Sequence, residues 1–127
     1  MVIKKSDASK FTDVESFYGA KMSAGVETTG EEVLHANSYF SQVKYNSSPS
    51  QNEAIIALKN GIFDAIVIDY TIAKGNIAND NSGLMIVEGI DFQEEQYAIG
   101  FRMGFDIIKE IDNLILRWYA CYSFKKI

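Results

Sequence analysis

Two short stretches of this sequence carry residue types able to hold a charged small molecule. The first is Glu27-Thr28-Thr29-Gly30, where a strand-like run gives way to a helix-like one. The first turn of a helix leaves backbone N–H groups unpaired and carries the positive end of the helix dipole, and two adjacent hydroxyls complete a donor set suited to a carboxylate. Glu31 and Glu32 already place negative charge there, which argues against phosphate. The second is Asp69, at the carboxyl end of the apolar run Ala65-Ile66-Val67-Ile68, where a carboxylate can hold an ammonium group by a charge-assisted hydrogen bond. Each also has a purely structural reading: the threonines as caps of the following helix, and Asp69 as N-cap of a helix starting near Thr71. Asp64, at the other end of the same run, reads as structural.

The elements that must position these groups are short and alternate in type. Lys21 to Val26, Gln42 to Tyr45, Ala65 to Ile68, Leu84 to Val87 and Gln96 to Phe101 read as strands by length and by β-branched or aromatic content. The 65–68 run is apolar without alternation, as expected of a central strand covered on both faces. Ser50 with Glu53 forms a capping box before Ala54 to Lys59, and Gly61 stands just past the end as a C-cap. Thr29 with Glu32, or Thr28 with Glu31, forms a second capping box. Asp13 caps a shorter helix through Tyr18, ended by Gly19, and residues 75–83 are rich in turn chemistry. The strand-helix-strand order predicts a doubly wound, largely parallel five-stranded α/β sheet with ligands at the carboxyl ends of its strands.

Composition narrows the function classes. The chain has 127 residues, 47% of them hydrophobic and 23% charged, the balance of one globular domain. A formal charge of −5 without any basic stripe speaks against a nucleic-acid partner. The lone Cys121 cannot form an internal disulfide, and the lone His35, read as an exposed helix residue, has no partner at metal-ligand spacing, so neither a metal nor a cofactor is expected. There is no Gly-rich phosphate loop and no nucleophile elbow, which points away from an enzyme. No run approaches the ~18 apolar residues of a membrane helix. The opening MVIKKSDASK lacks an export signal, and strand-like Val2 and Ile3 follow Met1 as if the chain began inside something longer.

The segments GAKMSAGVETTGEE, KYNSSPSQNEAIIALKNGIFDAIVIDY and QYAIGFRMGFDIIKEIDNLI follow one another over nearly the whole chain. Together they resemble the second lobe of the family 3 solute-binding proteins, the polar-amino-acid-binding proteins of ABC importers; ALKNGIFDAIVID is the most specific piece. The resemblance implies one lobe of a periplasmic-binding-protein type II fold, with residues 1–105 as the ligand-binding domain and residues 106–127 as a C-terminal helix that packs on the other lobe. It implies that Thr29, with Thr28, receives the α-carboxylate of a free polar or charged amino acid and that Asp69 receives its α-ammonium. It further implies a periplasmic or cell-surface parent protein whose partner is the membrane component of an ABC transporter. The family's first lobe, which supplies an arginine and an aromatic platform, is absent, so weak binding is expected. Glu27 stands where the family usually has glycine, and Leu116 to Tyr122 lacks the glycine turn that follows this helix. Thr29 and Asp69 are expected within one ligand's length of each other. The segment Asp106 to Tyr122 reads as a helix with little polar face, which predicts a homodimer.

A receiver domain of a two-component system is the rival reading, with Asp69 as phosphoacceptor. It requires an acidic pair after the first strand, a Ser or Thr after the fourth and a Lys after the fifth. Here Asp7 stands alone, Glu88-Gly89 follows Val87, and Arg102-Met103 takes the lysine position.

Overall fold

Strands of three residues hold a sheet together only when both faces are covered, and the apolar runs of this chain are disposed to that end. The computed structural model describes residues 1–78, 80–90, 92, 102, 103 and 107–123. Five strands, β1 (Val2–Lys4), β2 (Lys21–Ala24), β3 (Lys44–Tyr45), β4 (Ala65–Val67) and β5 (Leu84–Ile86), form one sheet in the order β3-β2-β4-β1-β5. β2 pairs in parallel with β3 and with β4, placing Met22 opposite Ala65 and Ala24 opposite Val67. β1 runs antiparallel to β4 and β5, with Val2 opposite both Ile66 and Ile86. Four strands therefore share one direction and β1 alone opposes it.

The expected doubly wound α/β sheet is present, with mixed pairing. Its fifth member is the strand-like Val2 and Ile3, while the expected strand Gln96 to Phe101 lies outside the described residues. The remaining strands are shorter than the apolar runs suggest. β2 stops at Ala24 because Gly25 makes only an isolated bridge to Ser48 before the chain turns. Gln42 belongs to a 3-10 turn, Ser38–Gln42, which leaves β3 two residues. A receiver-type sheet has the order 2-1-3-4-5. The inverted β1 between β4 and β5 departs from it.

Alternation along the strands divides the core in two. Ile3, Met22, Ala24, Ala65 and Val67 face one side, where Leu34 of α1 (Thr29–Ala36) packs with Phe11, Phe17 and Phe40. Val2, Ile66 and Leu84 face the other, against Ala54, Ile55 and Leu58 of α2 (Gln51–Lys59) and Ala73 of α3 (Tyr70–Ile77). All three β4 side chains are buried, which accounts for the run's lack of polar alternation. Full burial of a side chain such as Ile66 contributes roughly 1.5 to 3 kcal/mol.

The boundaries of α2 are set by local chemistry. The Ser50 hydroxyl accepts the Glu53 N–H at 3.2 Å. At the other end Gly61 has φ +75°, its N–H reaching the Leu58 carbonyl and that of Ile62 the Ala57 carbonyl, a complete Schellman motif. Asp13 accepts the Ser16 N–H at 2.8 Å from one residue ahead of Val14, which holds the N-cap position of the 3-10 turn Glu15–Phe17, and Gly19 follows at φ +76°.

The chain divides into two compact units, Met1–Gln93 and Glu94–Ile127. The described helix of the second unit is α4 (Ile108–Ser123), which starts two residues inside the expected helix; Asp106 and the side chains of Ile108, Trp118 and Tyr119 lie outside the description. Leu114, Ile115 and Leu116 of α4 are exposed, at 64%, 45% and 67%.

Candidate functional site

Parallel pairing of β2 with β4 brings their carboxyl ends to one edge, where the two chemistry-bearing stretches emerge side by side. β2 leads through Gly25 into residues 26–28 and then α1, and β4 leads through Ile68 and Asp69 into α3. The first turn of α1 is pressed onto the end of β4: a Cβ on Gly30 would sit 2.8 Å from the Val67 carbonyl oxygen, so only glycine permits this approach. Thr29 is thus joined to a residue in contact with Val67, two positions before Asp69.

The threonines take different roles. Thr28 holds the N-cap position of α1, yet its hydroxyl donates to the Gly25 carbonyl at 2.7 Å and makes no capping bond. Thr29 is the first residue of the helix, exposed, and its hydroxyl takes no protein partner among the described residues. The expected capping box is therefore displaced. Glu31 reaches back past Thr28 and accepts the backbone N–H of Glu27 at 2.8 Å. Glu27 itself has φ +57°, a left-handed conformation that glycine adopts freely and a side-chain-bearing residue adopts at a cost.

Glu31 also accepts a 2.6 Å hydrogen bond from the Tyr45 hydroxyl, and that ring meets His35 edge-on with centroids 4.8 Å apart. The Tyr45 hydrogen bond, then the Glu27 N–H, with a smaller contribution from the charge of His35, hold the Glu31 carboxyl below its ordinary range against an opposing desolvation effect. Desolvation and the neighbouring Glu31 push the Tyr45 hydroxyl well above the usual tyrosine range. A fixed carboxylate thus borders the start of α1. His35 is exposed, as expected of it.

Asp69 is half-buried and occupies the N-cap position of α3, but its carboxylate makes no capping bond. It is engaged instead by Gln51, whose amide Nε2 donates to Asp69 Oδ2 at 2.9 Å while its Oε1 accepts the Asp69 N–H, also at 2.9 Å. Gln51 follows the Ser50 cap at the start of α2, and a Cβ on Gly25 would lie 3.1 Å from its Cγ, so its side chain fills the space between the ends of β2 and β4. The loop delivering Gln51 is fixed by a continuation of the ladder: Ser48 N–H donates to the Ala24 carbonyl, Val26 N–H to the Ser48 carbonyl, and the buried Ser23 and Ser48 hydroxyls share a 2.8 Å hydrogen bond. Asp64, by contrast, is structural as expected. It accepts the Lys21 N–H at 2.8 Å and lies 3.8 Å from the Lys10 ammonium. Neither Gln51 nor the Glu31–Tyr45 pair stands out in the sequence, since each contact joins residues from separate elements.

Solved structures share this architecture. AbpA, an amino acid ABC transporter substrate-binding protein from Streptococcus pneumoniae bound to L-arginine, superposes with a TM-score of 0.77 at 24% identity over 98% of this chain and 52% of that one. An ancestral arginine-binding protein bound to arginine gives 0.71 at 27% identity over 98% and 55%. Domain 2 of TmArgBP gives 0.59 at 25% identity over 70% of this chain and 92% of that domain. No family model matches the sequence, and no curated protein matches it. The chain spans about half the length of the two whole binding proteins. At the level of fold, this chain matches one lobe of these solved amino-acid-binding proteins.

Proposed function

We propose that this chain is an amino-acid-binding lobe and not an enzyme. In this reading Thr29, with the backbone N–H groups of Thr28 and Thr29, receives the ligand α-carboxylate, and Asp69 receives the α-ammonium. The observation that carries it is the disposition of Asp69, an aspartate at an N-cap position whose carboxylate is held away from capping, on the same sheet edge as an uncapped helix start. Because the Thr28 hydroxyl already donates to Gly25, the side-chain donor is Thr29. The structural neighbours include proteins bound to L-arginine and to glutamine, which makes these two amino acids the probes of choice.

The lobe alone binds weakly. Each missing charge-assisted hydrogen bond from a second lobe is worth roughly 1.5 to 3 kcal/mol, and every ~1.4 kcal/mol costs tenfold in affinity, so affinity in the millimolar range is expected. In the full-length parent this lobe closes with another around its ligand, outside the cytoplasmic membrane, and the closed form is delivered to the membrane component of an ABC importer. Among the described residues no helix is long and apolar enough to cross a membrane. The exposed apolar residues of α4 pair with the same helix of a second copy.

The decisive experiment is an NMR titration of the full chain with L-arginine and L-glutamine. The amides of Thr28, Thr29 and Asp69 are expected to shift at millimolar ligand. Asp69→Asn, which keeps an acceptor for Gln51 but removes the charge, is expected to abolish that response with little change in thermal stability. Silent amides at tens of millimolar ligand, or an Asp69→Asn variant that still responds, would overturn the reading.

A further inference from the structure

Asp69 stands where an aspartate ordinarily caps. The residue precedes α3, its carbonyl accepts the Ala73 N–H at 2.8 Å, and its backbone is non-helical (φ −54°, ψ 138°), yet the first-turn N–H groups of α3 receive nothing from its carboxylate. An N-cap aspartate is worth about 1 kcal/mol to a helix, so a force of comparable size must turn it aside. The two 2.9 Å bonds from Gln51 supply it. One fixes the Asp69 N–H and the other draws Oδ2 toward α2, closing a ring that defines both the backbone and the carboxylate direction. Oδ1 is left without a protein partner among the described residues.

The chemistry of the clamp is selective. The contact needs one donor and one acceptor side by side on the same planar group, which an amide side chain offers while staying uncharged at any pH. Lysine would neutralise Asp69 with a resident ammonium, and glutamate would oppose it with a second carboxylate. A neutral amide orients the charge and leaves it uncompensated. Gln51 is itself held, by its place directly after the Ser50 cap and by the glycine at position 25 that makes room for it.

We infer that Gln51 is a positioning residue that diverts Asp69 from capping α3 and presents Oδ1 to a ligand ammonium group. This rests on the reading of Asp69 as the ammonium-binding residue, but its first half is testable without any ligand. In Gln51→Ala, Asp69 is expected to swing onto the first turn of α3 and slow hydrogen exchange at the Thr71 or Ile72 amide by about fivefold, the equivalent of about 1 kcal/mol for a cap. Adding Asp69→Ala to that variant is expected to remove the gain. Gln51→Glu, which preserves the volume, provides a second route to the same release should the alanine variant fold poorly. In an L-arginine titration the Gln51 variants are expected to bind about tenfold more weakly, at the lower end of what outer partners contribute at metal sites. Unchanged α3 amides in both variants would overturn the positioning role whatever the titration shows. A gain of α3 protection together with a wild-type chain that ignores amino acids would uphold the positioning role and dismiss the ammonium-binding reading instead.

Discussion

Glu27 is one point at which this chain departs from the family it resembles, and it is also the one non-glycine residue with positive φ among those described. A left-handed residue with a side chain pays roughly 1 to 2 kcal/mol, while glycine adds flexibility to the unfolded chain that costs about 0.4 to 1 kcal/mol. Glu27→Gly is therefore expected to raise stability by about 0.5 to 1 kcal/mol in urea unfolding, and to tighten L-arginine binding by removing a negative charge beside the proposed carboxylate site. Its backbone N–H, and so the bond to Glu31, is retained. The Glu31–Tyr45 pair makes a pH prediction. Folding lowers the Glu31 pKa, so its carboxylate contributes stability that is fully present above its ordinary value of 4.5 and lost as pH falls through the lower folded value. Tyr45→Phe removes the largest cause of that shift and is expected to flatten the loss of stability in acid, measured as urea midpoints between about pH 3 and 5. At this scale the sequence was legible where the chemistry is local: the hydroxyls after β2 and the carboxylate after β4 announce themselves by position. Gln51 and Tyr45 did not, because their meaning lies in partners 18 and 14 residues away.

The elements repeat the lesson. α2 was readable from Ser50, Glu53 and Gly61 because capping and left-handed termination are written in adjacent residues, and Ser50→Ala is expected to cost about 1 kcal/mol in thermal or urea unfolding. α1 was readable in place but not in detail. Its Thr28 hydroxyl turned back to Gly25, and Glu31 found the Glu27 N–H instead. Strand lengths were overestimated wherever a turn interrupts an apolar run, as at Gly25 and at the 3-10 turn before β3. The direction of β1 was not legible at all, since a three-residue apolar run carries no signature of which neighbours it will pair with or which way it will run.

For the molecule as a whole, the two covered faces of the sheet take in most of the apolar residues of the first unit but leave Ile56, Ile62 and Tyr70 exposed, and α4 keeps Leu114, Ile115 and Leu116 exposed in consecutive positions. Pairing through α4 predicts a mass of twice 14.2 kDa by sedimentation equilibrium at micromolar concentration. A mass that stays at 14.2 kDa as concentration rises rules the dimer out.

The inverted β1 has a consequence for how the sheet is assembled. Among the described residues β5 touches the sheet only through β1, and β1 meets β4 across about sixty intervening residues. β2, β3 and β4 can associate through comparatively short βαβ crossovers, but the far side of the sheet must wait until its first strand finds a slot between two of its last. Closing so long a loop costs more entropy than the crossovers do, and contacts of this span slow folding. While the slot is empty, Ile66 and Leu84 lack Val2 as a neighbour on their face of the sheet, and the edge of β4 offers unpaired backbone to any neighbouring chain. Val2 to Lys4, a strand of three residues, therefore acts as the keystone that closes the open edge of β4.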